Sequence, residues 1–198
     1  MKPKTKAPII HINGFPGTGK LTVARCLKSS VGARVLDNHS IYNVAFCLLD
    51  FGSPEFKLAV EKVEEVAYAQ FKHVPSNTVI VITNCLFKNS DWSEERWRKV
   101  FDIGSQINRR VGVVVLECSE EENKRRLNTP ERNYLGKLTD VPTLVEQIQT
   151  REILDKGADS ILNLDTDESN PDESAASIVN WLATAFNYEP AVTGDAAS

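Results

Sequence analysis

No run of the roughly 20 apolar residues that a bilayer crossing needs occurs anywhere in these 198 residues. The amino terminus, MKPKTKAPIIHING, is basic, but its apolar run is too short for a secretory signal, and a loop begins at Gly14 where a cleavage site would be needed. A cytoplasmic protein without a membrane partner is therefore expected. The four cysteines, Cys26, Cys47, Cys85 and Cys118, lie far apart in apolar surroundings and show neither CxxC nor Cys/His spacing, so they read as buried free thiols. Internal repeats and low-complexity linkers are absent as well. A net charge of −4 argues against general nucleic-acid binding.

What the chain has is an ordinary globular balance, 41% hydrophobic and 25% charged residues, in a length that suits one buried core. Apolar runs alternate with amphipathic stretches, which is the pattern of βα units built on a parallel sheet. Five strands are expected, over 9–13, 34–36, 78–83, 112–117 and 160–164. VIVIT and VGVVVLE are almost continuously apolar, as strands covered on both faces should be. Helices are expected over 20–29 and 40–49, after the Ser53-Pro54 cap, and after capping-box spacings at Asp91 with Glu94 and at Ser119 with Glu122. A helical pattern resumes over 138–156, and Pro171 opens a last helix. The expected organisation is a disordered basic tail at 1–7, one domain at 8–187 and a disordered tail at 188–198.

Between the first strand and the first helix stands Gly14-Phe15-Pro16-Gly17-Thr18-Gly19-Lys20, a GxxxxGK phosphate loop in the strand-to-helix context that this motif requires. Its glycines let backbone N–H groups converge on phosphate oxygens, the helix start adds partial positive charge, and Lys20 reaches the terminal phosphates. Gly14, Pro16, Gly17, Thr18, Gly19, Lys20, Leu21 and Thr22 are thus the nucleotide-binding candidates. The strict motif ends in a Ser or Thr that ligates Mg²⁺, and here the residue is Leu21. Thr22 is rotated by about 100° on the helix and does not simply replace it. The cradle is expected to bind a nucleoside triphosphate whose Mg²⁺ is largely water-coordinated, with Thr22 and Asp37 as the metal candidates.

In a doubly wound sheet, ligands sit beyond the carboxyl ends of the strands. Asp37, Asn38 and His39 follow the second strand. Asp37 could orient or deprotonate a substrate hydroxyl, and Asn38 and His39 could contact the substrate; the alternative is that Asp37 or Asn38 merely caps the next helix. Asn84, after the third strand, is a further substrate-side candidate, with a loop-capping role as its alternative. From Lys124 to Lys137 five cations face one acid, Glu131, inside an acidic chain. A lid over about 123–140 is expected, with Arg125 and Arg132 as catalytic candidates and Arg126 on the nucleotide; a solvated basic surface is the alternative. The loop DTDESNPDE before the last helix is expected beside the phosphate loop, its backbone near adenine.

GFPGTGK, Asp37 after the second strand, the arginine segment 123–137 and DTDESNPDE together resemble the phosphate-loop kinase superfamily, in the small branch that holds shikimate kinase, gluconate kinase and chloramphenicol phosphotransferase. GFPGTGKLTVAR followed by LDNHS is similar to AAA-labelled small kinase-like proteins. The resemblance covers about 8–187 and implies an α/β fold, a five-stranded parallel sheet of order 2-3-1-4-5, ATP as donor, Mg²⁺ and a lid. Three features depart from it: Leu21, the lack of an aspartate ending the third strand, and the lack of a DGxxR acceptor motif. The last turns the expectation from a nucleotide acceptor to a hydroxyl-bearing small molecule. Alternatives are a nucleotide-binding switch or ATPase without transfer, and an RNA-end kinase. Both monomer and homodimer remain open.

Overall fold

Three apolar runs form the middle of a parallel sheet. In the computed structural model, which describes residues 6–128 and 140–189, β1 (Ile9–Asn13) pairs with β3 (Ile80–Thr83) on one side and with β4 (Val111–Glu117) on the other. The edges are β2 (Arg34–Asp37) and β5 (Ser160–Asp165), which gives the order β2-β3-β1-β4-β5. This is the sheet order that the resemblance implied. Among the described residues seven α-helices surround it: α1 (Lys20–Val31), α2 (Asn38–Phe46), α3 (Pro54–Ala69), α4 (Asp91–Gln106), α5 (Glu120–Leu127), α6 (Val141–Thr150) and α7 (Pro171–Phe186).

Side chains alternate across each strand, so a strand covered on both faces must be apolar at successive positions. Ile10, Ile12, Val81 and Val114 pack under Val23 and Leu27 of α1 and Ile178 and Leu182 of α7. Ile9, Ile80 and Ile82 face the other way, toward Ile41 of α2, Phe56 of α3 and Val100 of α4. Each fully buried Ile or Leu contributes about 1.5–3 kcal/mol, which is why β3 and β4 are nearly continuous apolar runs, while β1 buries His11 and Asn13 only with hydrogen-bond partners. The edge strand β5 does alternate, half-buried with exposed.

Two buried polar side chains tie the ends of this frame. At the amino-terminal end of the strands the Arg109 guanidinium donates to the carbonyls of Ala7, Val74, Pro75 and Thr78 at 2.6–3.1 Å. At the opposite end Asn13 donates to the carbonyls of Leu86 and Leu154 and accepts from the Leu86 amide. Asn13 thereby fixes the chain just where β1 gives way to the glycine loop.

Several boundaries differ from expectation. β2 runs on to Asp37, because Asp37 pairs with Thr83, while β3 begins only at Ile80 because Thr78 is spent in a turn on Pro75. α2 starts at Asn38 and stops at Phe46. The cap of α4 is Ser90, whose hydroxyl accepts from the Ser93 amide, so Asp91 is already inside the helix. Ser119 caps α5, but its own amide donates to Asp167, so the reciprocal half of that capping box does not form. The complete box belongs to Asn170 and Glu173 at the start of α7. Of the helix expected over 138–156, the described residues 140–156 contain α6, after which Ile153 bridges to Phe87. Ala7 and Tyr188 are both buried in the core. No helix among the described residues is long and apolar enough to cross a membrane.

Candidate active site

The glycine loop leaves β1 beneath α5. Gly17 has φ 94°, a conformation that L side chains resist, and a Cβ there would run into the Asn123 carboxamide and approach Leu127 Cδ1 to 2.8 Å. Gly14 is equally confined, since a Cβ on it would collide with the Leu116 carbonyl. Within the loop the Thr18 hydroxyl donates to the Phe15 carbonyl at 3.0 Å. Gly19 is the N-cap of α1 and supplies no side-chain cap, so the amides at the helix start face the cleft together with its dipole. Lys20 curls back over the loop, donating through Nζ to the carbonyls of Gly14 and Phe15 at 2.8 and 2.7 Å.

These residues open on a cleft of about 990 Å³. Pro16, Gly17, Thr18, Gly19, Lys20, Leu21 and Thr22 form its floor. Asp37, Asn38 and His39 line one wall, as their position after β2 suggested. Asp37 occupies the N-cap position of α2 but makes no side-chain cap bond. Its Oδ1 instead accepts from the Thr83 hydroxyl at 2.7 Å. Asn84 is a correction. Its side chain does not line the cleft but lies buried against His11, Nδ2 to Nε2 at 3.0 Å, and the neighbouring Cys85 lines the cleft instead. Burial pushes the Cys85 thiol above its ordinary pKa, against a smaller opposing pull from the Lys20 charge.

The opposite wall is α5. Glu122 is the hub: its carboxylate accepts from Nε and Nη2 of Arg125 and from Nε of Arg126, each at 2.6 Å. The Arg125 hydrogen bond, seconded by Arg126, pulls the Glu122 pKa down to about 2. Arg126 also donates to the Thr166 hydroxyl at 2.9 Å and to the Thr166 carbonyl at 2.6 Å. Thr166 is buried beside the phosphate loop, its hydroxyl within 3.4 Å of the Thr18 carbonyl, so the loop after β5 does lie against the phosphate loop. Arg125 is mostly solvent-facing, with 71% of its side chain exposed, whereas Arg126 is at 22%. Of the expected lid, the described part comprises the end of α5 and Asp140, the cap of α6; Arg132 lies outside the described residues.

Sequence reasoning read Glu122 only as a cap, although its spacing to Arg125 and Arg126 is that of helical ion pairs. It missed Thr166, whose place depends on the sheet order. It also missed the aromatic wall of Tyr42, Phe46 and Phe51. Among the described residues no group of three or more His, Cys, Asp or Glu side chains could hold a metal ion by itself.

A family model described as an AAA domain matches residues 10–138, more than half of the sequence, and the chain belongs to that family. No curated protein matches it. Among solved structures it is similar to a putative kinase from Chloroflexus aurantiacus, with 16% identity and a TM-score of 0.64 over 92% of this chain and all of the other. It is similar also to the APS kinase of Mycobacterium tuberculosis in complex with AMPPNP and APS, with 16% identity and a TM-score of 0.59 over 90% and 99% of the two chains. The shikimate kinase of Acinetobacter baumannii in complex with shikimate aligns with 17% identity and a TM-score of 0.53 over 91% and 95%. The fold is that of the small phosphate-loop kinases.

Proposed function

We propose that the protein is an ATP-dependent phosphotransferase that phosphorylates a hydroxyl of a small molecule. The observation that carries this reading is that one cleft joins the phosphate loop and Lys20 to the Asp37 carboxylate on one side and the Arg125–Glu122–Arg126 cluster on the other. Lys20 exchanges its loop carbonyls for the β- and γ-phosphates, and the amides from Gly17 to Thr22 hold the remaining oxygens. The acceptor oxygen bonds to the γ-phosphorus as the bond from that phosphorus to the ADP oxygen breaks, and the acceptor proton passes to Asp37 and on to solvent. Arg126, and Arg132 from the lid, stabilise the charge spread over the transferring group, with Arg125 at the rim. Asn38 and His39 contact the acceptor. The AMPPNP bound to the APS kinase of the same fold supports a nucleotide in the phosphate loop.

Asp37 uses Oδ1 for Thr83, and Thr22, a hydroxyl residue, lines the same cleft. Such hard oxygens fit an Mg²⁺ that keeps most of its waters and is held chiefly by nucleotide phosphates. When bound, the ion supplies neutralisation of the β- and γ-phosphate charge.

The test is ADP release from MgATP across a panel of hydroxyl compounds, with Lys20→Ala and Asp37→Asn alongside. The reading expects one compound class to stimulate release, Lys20→Ala to lose nucleotide affinity and Asp37→Asn to lose turnover while still binding ATP. ATP bound without acceptor-dependent release would favour a nucleotide switch, the reading that Leu21 at the metal-hydroxyl position otherwise supports.

A further inference from the structure

The two walls of the cleft differ in kind. The cations that line it among the described residues, Lys20, Arg25, Arg125 and Arg126, all come from α1 and α5. The wall built by α2 and the turn after it has none. From Val35 to Phe56 the sequence contains no Lys or Arg, while Asp37, Asp50 and Glu55 give the stretch a negative charge. An acceptor carrying a carboxylate or phosphate would meet repulsion on this side.

What the wall offers is rings. His39, Phe46 and Phe51 stand in a near-parallel series, His39 to Phe46 at 6.4 Å and 24° and Phe46 to Phe51 at 5.7 Å and 23°. Tyr42 meets Phe46 edge-on at 6.2 Å. All four line the cleft. Phe56 behind them is 2% exposed, and together with Phe46 at 5.1 Å and Phe51 at 5.3 Å it anchors the series in the core. Phe46 and Phe51 themselves remain 38% and 78% exposed. Large apolar faces left open at the mouth of a cleft are unusual in a soluble chain and mark a binding surface. A nucleotide leaves room here, because about 990 Å³ lies at the top of the range of roughly 300–1,000 Å³ typical of small-molecule sites.

We infer that the acceptor is an uncharged alcohol bearing a flat aromatic or apolar ring, which continues the stack of Phe46 and Phe51 and directs its hydroxyl toward Asp37. This rests on the phosphotransferase reading and narrows it. It sets the chain apart from the shikimate and gluconate acceptors of similar folds, which are polyhydroxy carboxylates.

The experiment measures ADP release and, by ligand-observed NMR on protein loaded with a non-hydrolysable ATP analogue, binding of two sets of alcohols. One set is neutral and ring-bearing, such as nucleosides and phenyl-substituted diols; the other is anionic, shikimate and gluconate. Wild type, Phe46→Leu, Phe51→Ala and Phe51→Trp are compared. The expected result is saturable binding and turnover with the first set only, a KM about tenfold higher in Phe51→Ala and Phe46→Leu with kcat within about twofold, and recovery in Phe51→Trp. Preference for the anionic set, an unchanged KM in Phe51→Ala, or binding of neither set would overturn the inference. Preference for the anionic set would leave the phosphotransferase reading standing. That reading fails separately, if MgATP binding is indifferent to Lys20→Ala.

Discussion

Thr83 donates its hydroxyl to Asp37 Oδ1 at 2.7 Å across the β2–β3 register, in which the two residues are direct partners. The bond holds one carboxylate oxygen in place on a half-buried side chain at the cleft edge, so the other has a defined direction. Thr83 touches no substrate in the proposed reaction and acts as a positioning residue. Thr83→Val keeps the shape and removes the donor, and we expect kcat to fall about tenfold with the ATP KM unchanged, since one neutral-to-charged hydrogen bond is worth about 1.5–3 kcal/mol. Thr83→Ser should restore most of the loss. A Thr83→Val enzyme with normal kcat would show that the Asp37 orientation is set elsewhere.

Arg125 and Arg126 share Glu122, yet they should not be equivalent. Arg126 is fixed a second time by both oxygens of Thr166 and lies against Gly19, 3.9 Å from where a Cβ would stand. Arg125, 71% exposed, has among the described residues the Glu122 carboxylate alone, and ion pairs of exposed cations contribute little. Steady-state kinetics should therefore show the ATP KM raised about tenfold or more in Arg126→Ala and by less than about threefold in Arg125→Ala, as expected when a desolvated charge contact is lost and a solvated one is not. Equal losses would mean that Arg125 moves in when nucleotide binds.

The difference between what could and could not be read in advance has a physical origin. The phosphate loop is legible because contiguous residues encode its geometry: Gly17 must be glycine for its φ and for the side chains of α5 above it. The central strands are legible because burial on both faces leaves a continuous apolar run. Asn84 was misplaced because successive side chains at a strand end point to opposite faces, and which face meets the cleft depends on register. His11 shows the same limit, as its partner Asn84 stands 73 positions away. The aromatic wall went unread because Tyr42 and Phe46 have the i, i+4 helical spacing that serves a core equally well; only their place at the cleft, beside Phe51, distinguishes them.

Gly17 and Gly32 offer a matched pair of substitutions. Both have positive φ, 94° and 66°, but a Cβ at Gly32 would meet nothing within 4 Å. Gly32→Ala should therefore cost only the backbone strain, about 1–2 kcal/mol. Gly17→Ala adds a collision with Asn123 and must displace the loop or α5, so a further loss of about 1–3 kcal/mol is expected along with loss of nucleotide affinity. Chemical denaturation with and without ATP separates the two effects. A Gly17→Ala protein as stable as Gly32→Ala would mean that α5 yields readily at Asn123.

Two buried groups in the other half of the core give stability a concealed pH dependence. His11 is fully buried between Asn84 and the Trp97 ring, and desolvation lowers its pKa to about 3. Its contribution is present above the ordinary value of 6.5 and is lost as the pH falls from there toward 3. Glu64 has the opposite sign. Desolvation raises its pKa to about 7 despite the Arg96 guanidinium at 3.3 Å and Lys99 at 3.8 Å, with Glu61 and Glu95 adding repulsion. Its contribution is greatest below the ordinary 4.5 and declines as the pH rises through about 7. Between about pH 4.5 and 6.5 the two slopes oppose each other, so the wild type should vary little there. Glu64→Gln removes one of them and should expose the other, with stability falling by up to about 1.4 kcal/mol per pH unit on acidification below pH 6.5. Urea midpoints at pH 5, 6, 7 and 8 decide it; a Glu64→Gln profile parallel to the wild type would show that Glu64 stays ionised throughout, held by Arg96.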